Sequence, residues 1–140
     1  MSFEFETAID LRYGDLDTYG HVNNAVYATL MEEARLNYLR TVLADVETDL
    51  ASMDGGTGIV LANLEIDFER PLRDAEEVSV GVRVPSLGSS SIPFEYELRD
   101  DHGVVAVAET TLVVIDTESG QSIEIPDTWR AAIESFEGRD

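Results

Sequence analysis

The sequence predicts an α+β domain: one antiparallel sheet of five or six strands wrapped around a single long helix. Three observations predict it. Apolar residues recur at period two in several short runs between residues 59 and 125, the mark of half-buried strands. A stretch without Gly or Pro, Ala25 to about Leu43, carries apolar residues around more than half of its helical circumference. Helices do not alternate with strands, which removes a parallel, doubly wound sheet. The 140 residues suit one domain, 1–140, with no repeat, linker or low-complexity tract.

Each element has its own warrant. In residues 3–13, Phe3, Phe5, Ile9, Leu11 and Tyr13 fall on one face and Glu4, Glu6, Asp10 and Arg12 on the other, which predicts a strand. Residues 14–24 are too polar and turn-rich for an element and form a long loop ending in two N-cap candidates, Asn23 and Asn24. The helix that follows presents Val26, Tyr27, Leu30, Met31, Ala34, Tyr38, Leu39 and Val42, a surface so wide that burial on most sides is expected. Residues 45–57 read as a loop.

A long strand from Ile59 to Arg70 is stopped by Pro71, and residues 76–84 place Val78, Val80, Val82 and Val84 at period two. After a turn at 85–90, Ile92, Phe94, Tyr96 and Leu98 alternate. Asp100-Asp101-His102-Gly103 is a hairpin turn. Val104 to Ile115 is apolar on both faces and therefore central, and Ile123 and Ile125 are expected to close the sheet. Pro126 at the first helical position opens a short C-terminal helix with Trp129, Ile133 and Phe136.

Composition narrows function. There is no cysteine, so thiol nucleophiles, iron–sulfur clusters and cysteine-ligated zinc are excluded, and two histidines without ligand spacing give no metal site. No signal peptide or membrane span is expected, which predicts a soluble cytoplasmic protein. Twenty-nine acidic residues against nine basic ones, every one an arginine, give a net charge of −20 and a pI near 4.1. That field repels nucleic acid and anionic membranes. The carboxylates are spread along the chain rather than gathered in a tail, the pattern expected of a halophilic protein whose self-repulsion is screened at molar salt.

One segment concentrates chemistry: Arg12-Tyr13-Gly14-Asp15-Leu16-Asp17-Thr18-Tyr19-Gly20-His21-Val22-Asn23-Asn24-Ala25-Val26-Tyr27. It leads into a helix N-terminus, where unpaired N–H groups and a partial positive charge can hold an oxyanion. A carboxylate seven residues upstream can fold back beside that terminus, and the two together equip a site for acyl transfer to water. Read from residue types alone, paired aspartates in a turn equally serve as Asx-turn or cap residues.

The pattern Arg-Tyr-x-Asp-x-Asp-x-x-Gly-His-Val-Asn-Asn-x-x-Tyr, followed by Glu33 and Arg35, resembles the hotdog-fold acyl-CoA thioesterases of the 4-hydroxybenzoyl-CoA thioesterase type. It is also similar to the corresponding loop of plant acyl-ACP thioesterases. Leu64-Glu65-Ile66-Asp67-Phe68-Glu69-Arg70-Pro71-Leu72 resembles the family's long strand ending in Arg-Pro, and Leu87-Gly88-Ser89-Ser90-Ser91 its Gly-x-x-Ser turn.

The resemblance implies a thioesterase that hydrolyses an acyl-CoA to a carboxylic acid and free coenzyme A, with no separate cofactor because coenzyme A is part of the substrate. Asp17 matches the catalytic carboxylate, nucleophile or general base, and the backbone N–H of Asn24 matches the oxyanion donor. His21 belongs to the same catalytic stretch, Asn23 and Glu33 fall where substrate is positioned, and Ser91 matches the turn serine. Tyr19 stands where the plant enzymes carry Asn, and Ser90 where many relatives carry a basic residue. The resemblance further implies a homodimer or homotetramer with each site between subunits. Two other readings share the fold: a hydratase or dehydratase acting on acyl thioesters, whose Asp-x-Asn-Pro-x-His stretch this sequence lacks, and a non-catalytic acyl-thioester binder.

Overall fold

The computed structural model describes residues 3–11, 24–44, 46, 56–72 and 77–138. Seven elements follow in order: β1 (Phe5–Asp10), α1 (Asn24–Val42), β2 (Thr57–Phe68), β3 (Glu77–Arg83), β4 (Ser91–Asp100), β5 (Gly103–Asp116) and α2 (Asp127–Phe136). The strands make one antiparallel sheet in the order β1-β3-β4-β5-β2. Consecutive β3, β4 and β5 pair by local connections, while α1 carries the chain from β1 at one edge to β2 at the other.

Strict alternation decides which face is which. Val78, Val80, Val82 and Val84, then Ile92, Phe94, Tyr96 and Leu98, are all buried on the face that α1 covers. Tyr27, Leu30, Met31, Ala34, Tyr38 and Leu39 of α1 meet them. At the centre the Tyr38 ring takes edge contacts from Phe5, Phe94 and Phe136, with centroids 5.6, 5.7 and 5.6 Å away. Its hydroxyl donates to Glu137 Oε2 at 2.6 Å, which also accepts from the Val84 N–H at 3.0 Å and so ties the end of α2 to α1 and β3.

The helix is covered around most of its circumference, and Thr29, Glu32, Glu33 and Arg40 form the one stripe that stays exposed. Several expectations need adjusting. β2 ends at Phe68 rather than Arg70, because the Glu69 and Arg70 N–H groups both turn onto the single carbonyl of Val105 (2.8 and 3.2 Å). Ile123 and Ile125 do not form a closing strand. Only an isolated bridge, Ile115 with Ser122, extends the ladder, and the Ile125 N–H turns away to Ser89 O. Pro126 caps α2 rather than opening it, with ψ of 138° still extended. His102, in the hairpin turn, is exposed as expected.

β2 is the unusual strand. It is twelve residues long, lies at an edge, and leaves Val60, Leu61, Leu64 and Phe68 between 40% and 51% exposed. A long apolar edge strand normally invites pairing.

Candidate active site

The site is organised by the first turn of α1. The helix begins at Asn24, where the motif ends, and its opening turn carries no acidic residue to compete for the N–H groups there. Those groups and the helix dipole make the terminus an anion-favouring position. Asp17, His21 and Asn23 lie outside the described residues, and of the predicted catalytic residues the structure describes Asn24, at the start of α1.

Tyr27, the motif's final tyrosine, anchors this turn. Its ring packs edge-on against Phe68 at the end of β2 (4.9 Å, 87°), and its hydroxyl lies beside the Leu72 backbone. Burial pushes the hydroxyl above its usual pKa, so it is neutral at physiological pH.

Leu72 follows a segment held by a fork. Arg70 donates from Nη1 to Asp100 Oδ2 (2.9 Å), from Nη2 to Asp100 Oδ1, and from Nη2 to the Gly103 carbonyl (3.1 Å). Asp100 Oδ1 also accepts the His102 N–H at 2.7 Å. The Asp100 side chain is only 6% exposed, and the Arg70 hydrogen bonds hold its carboxyl below the usual carboxylate range. Bidentate Arg–carboxylate geometry of this kind fixes position as well as charge.

The remaining candidates lie farther off. Glu33 is on the exposed flank of α1, nine residues beyond Asn24 and therefore about 13 Å up the helix axis. Arg35 turns inward instead. Its Nη1 donates to Tyr96 Oη at 3.3 Å, and Tyr96 shares a 2.7 Å hydrogen bond with Thr110 Oγ1 deep in the core. Burial raises the Tyr96 pKa, with Arg35 and Thr110 opposing. Ser91 opens β4, half-buried, and its carbonyl accepts the Gly88 N–H at 2.9 Å, closing the Gly-x-x-Ser turn. From α2, Arg130 clamps that turn through Gly88 O at 2.7 Å.

The Arg35 chain and the Arg70–Asp100 fork are not visible as site features in the sequence. Their partners lie 61 and 30 residues away, and only the Arg-Pro step and the Asp-Asp hairpin mark the second. Among the described residues no group of three or more His, Asp or Glu could hold a metal. A shallow trough of about 170 Å³ on the opposite face of the sheet is lined by Glu65, Asp67, Glu95 and Glu109. Four carboxylates make it a poor place for an anionic ligand.

A family model described as the thioesterase-like superfamily matches residues 11–133, from the end of β1 to the last turns of α2. The chain belongs to the thioesterase-like superfamily, and its architecture is the hotdog fold. It is 34% identical to a thioesterase from Thermus thermophilus crystallised with coenzyme A and zinc, covering 99% of this chain and 97% of that one with a TM-score of 0.82. It is 29% identical over 133 residues to the long-chain acyl-CoA thioesterase FadM of Escherichia coli, covering 94% of this chain and 98% of that protein. To the 1,4-dihydroxy-2-naphthoyl-CoA hydrolase of Synechococcus elongatus it is 25% identical over 128 residues, 89% and 90% of the two chains. Among the described residues no helix is long and apolar enough to cross a membrane.

Proposed function

We propose that this superfamily member is a cytoplasmic, salt-adapted acyl-CoA thioesterase that releases a carboxylic acid and free coenzyme A. The observation that carries the reading is the start of α1 at Asn24, which brings the end of the His-Val-Asn-Asn motif to a helix N-terminus. The Asn24 N–H holds the carbonyl oxygen as negative charge develops on it, which is where a preorganised donor contributes most. Asp17 supplies the carboxylate. As general base it takes a proton from water while the water oxygen bonds to the carbonyl carbon, and the collapsing intermediate expels the coenzyme A sulfur, which leaves with that proton. As nucleophile its oxygen bonds to the carbonyl carbon while the carbon–sulfur bond breaks and coenzyme A leaves as the thiolate, protonated by water. A second water then hydrolyses the acyl-aspartyl anhydride to the acid and the free carboxylate. His21 assists that carboxylate in catalysis, and Asn23, Glu33 and Ser91 contact substrate away from the thioester carbon.

Coenzyme A as the carrier is supported by the named relatives, two of which are CoA-thioester hydrolases and one of which was crystallised with coenzyme A. The unpaired, apolar edge of β2 supports assembly as at least a homodimer. The test is thiol release from a panel of acyl-CoAs at high salt, run beside hydration of an enoyl-CoA. Release without hydration upholds the thioesterase reading, hydration without release transfers the site to the hydratase class, and neither leaves only acyl-thioester binding. Light scattering in molar salt that showed an active monomer would overturn the assembly.

A further inference from the structure

The Arg70–Asp100 fork is more extensive than a surface ion pair needs to be, and its location gives it a role. It sits where β2, the β4–β5 hairpin and the first turn of α1 meet. Arg70 grips both oxygens of Asp100 and the Gly103 carbonyl, so the segment leaving β2 is fixed to the hairpin. Two residues on, the Leu72 backbone meets the Tyr27 hydroxyl, while Phe68, two residues before Arg70, receives the Tyr27 ring. Both ends of one side chain in the opening turn of α1 are therefore set by a segment that Arg70 holds. Tyr27 is three residues from Asn24, less than one turn, so a displacement of Tyr27 passes to the Asn24 N–H almost undiminished.

We propose that Arg70 and Asp100 are positioning residues for the oxyanion site: through Leu72, Phe68 and Tyr27 they fix where the α1 N-terminus points. The inference rests on the thioesterase reading for its catalytic consequence but not for its structural one. An oxyanion donor acts on the transition state more than on bound substrate. Loosening it lowers kcat and kcat/KM together and leaves KM nearly unchanged. Displacements near an ångström are enough to cost catalysis heavily.

The experiment compares Asp100→Asn, Arg70→Lys and Tyr27→Phe with wild type, and with Arg99→Ala as a control that breaks only the exposed Arg99–Glu97 pair. Acyl-CoA hydrolysis is read as kcat and KM, and amide hydrogen exchange is read at Ala28 to Leu30 against Tyr38 to Val42. The expected result is a kcat lowered about tenfold or more in Asp100→Asn and Arg70→Lys, with KM within about threefold. Tyr27→Phe, which keeps the ring and loses only the hydroxyl, falls between these and wild type. Exchange should quicken at the start of α1 alone.

A lower melting temperature with kcat and early-helix exchange unchanged overturns the proposal and leaves the fork a structural tie. If either charge variant fails to fold, Tyr27→Phe decides by the same two readouts. If wild type hydrolyses no thioester, the thioesterase reading falls, and the exchange pattern alone decides whether the fork positions the helix.

Discussion

The inner face of the sheet carries Val82, Phe94, Tyr96 and Leu112, whereas the outer face carries Arg83, Glu95, Glu109 and Glu65. On the outer side these four residues lie in direct register across β3, β4, β5 and β2. Glu109 stands between two glutamates. Arg83 closes one end of the row, donating from Nε to Glu95 Oε1 at 2.6 Å. The inner face is held by packing, which salt hardly touches. The outer face is opposed by like charges placed directly opposite each other, which salt screens. The contrast teaches that like charge is set directly against like along the outer row and kept from the face on which α1 rests.

The largest effect belongs to the inner face. Phe94→Ala should cost about 3–5 kcal/mol of stability, because Phe94 is fully buried and touches both Tyr38 and Tyr96. Urea denaturation at low and molar salt checks this, and the loss should be the same in both. A cost that shrank with salt would break the contrast.

The outer face should behave in the opposite sense. Glu109→Gln removes two like-charge oppositions and should raise stability at low salt by about 0.2–1 kcal/mol for each pair. At molar salt, where the Debye length is about 3 Å, the gain should vanish. Wild type should itself gain melting temperature as salt rises from millimolar to molar. A flat profile would remove the salt-adaptation reading without touching the enzymatic one.

The last effect lies at the rim, in the Asp100 carboxyl, and is read in acid. Arg70 holds its folded pKa below the unfolded value, so its contribution is complete above the ordinary carboxylate range and is lost as pH falls through the lowered folded value. Acid denaturation should therefore show a limb that Asp100→Asn flattens. An unchanged acid limb in that variant would mean that the fork adds nothing beyond its surroundings.

The two faces also differ in how readable they are. Val78 to Val84 and Ile92 to Leu98 declare the inner face by spacing alone, because a period-two pattern is a local property. The glutamate row is invisible in the chain, since Glu65, Glu95 and Glu109 become neighbours only through register between distant strands. The same holds for Arg35 with Tyr96 and for Arg70 with Asp100, pairings that tertiary structure creates. The expected closing strand at Ile123 and Ile125 was a pattern of two residues, too short to outweigh the pull of the Ser89 carbonyl and the start of α2. The helix start at Asn24 was legible because capping residues and an apolar run coincide there. The segment that carries Asp17, His21 and Asn23 was legible only as a motif, and these residues keep their roles as proposals on that ground.

The central claim is that Asp17 is the carboxylate that drives thioester hydrolysis beside the α1 N-terminus. The most direct measurement is kcat for Asp17→Asn on an acyl-CoA that wild type turns over, with melting temperature and oligomer size shown to be unchanged. A fall of about 10²–10⁴ is predicted for loss of a general base, and more if the residue is the nucleophile. A folded Asp17→Asn enzyme that kept more than about a tenth of wild-type kcat, far above the range for a lost base, would contradict the assignment. Glu33 on the exposed flank of α1 would then be the carboxylate to replace next.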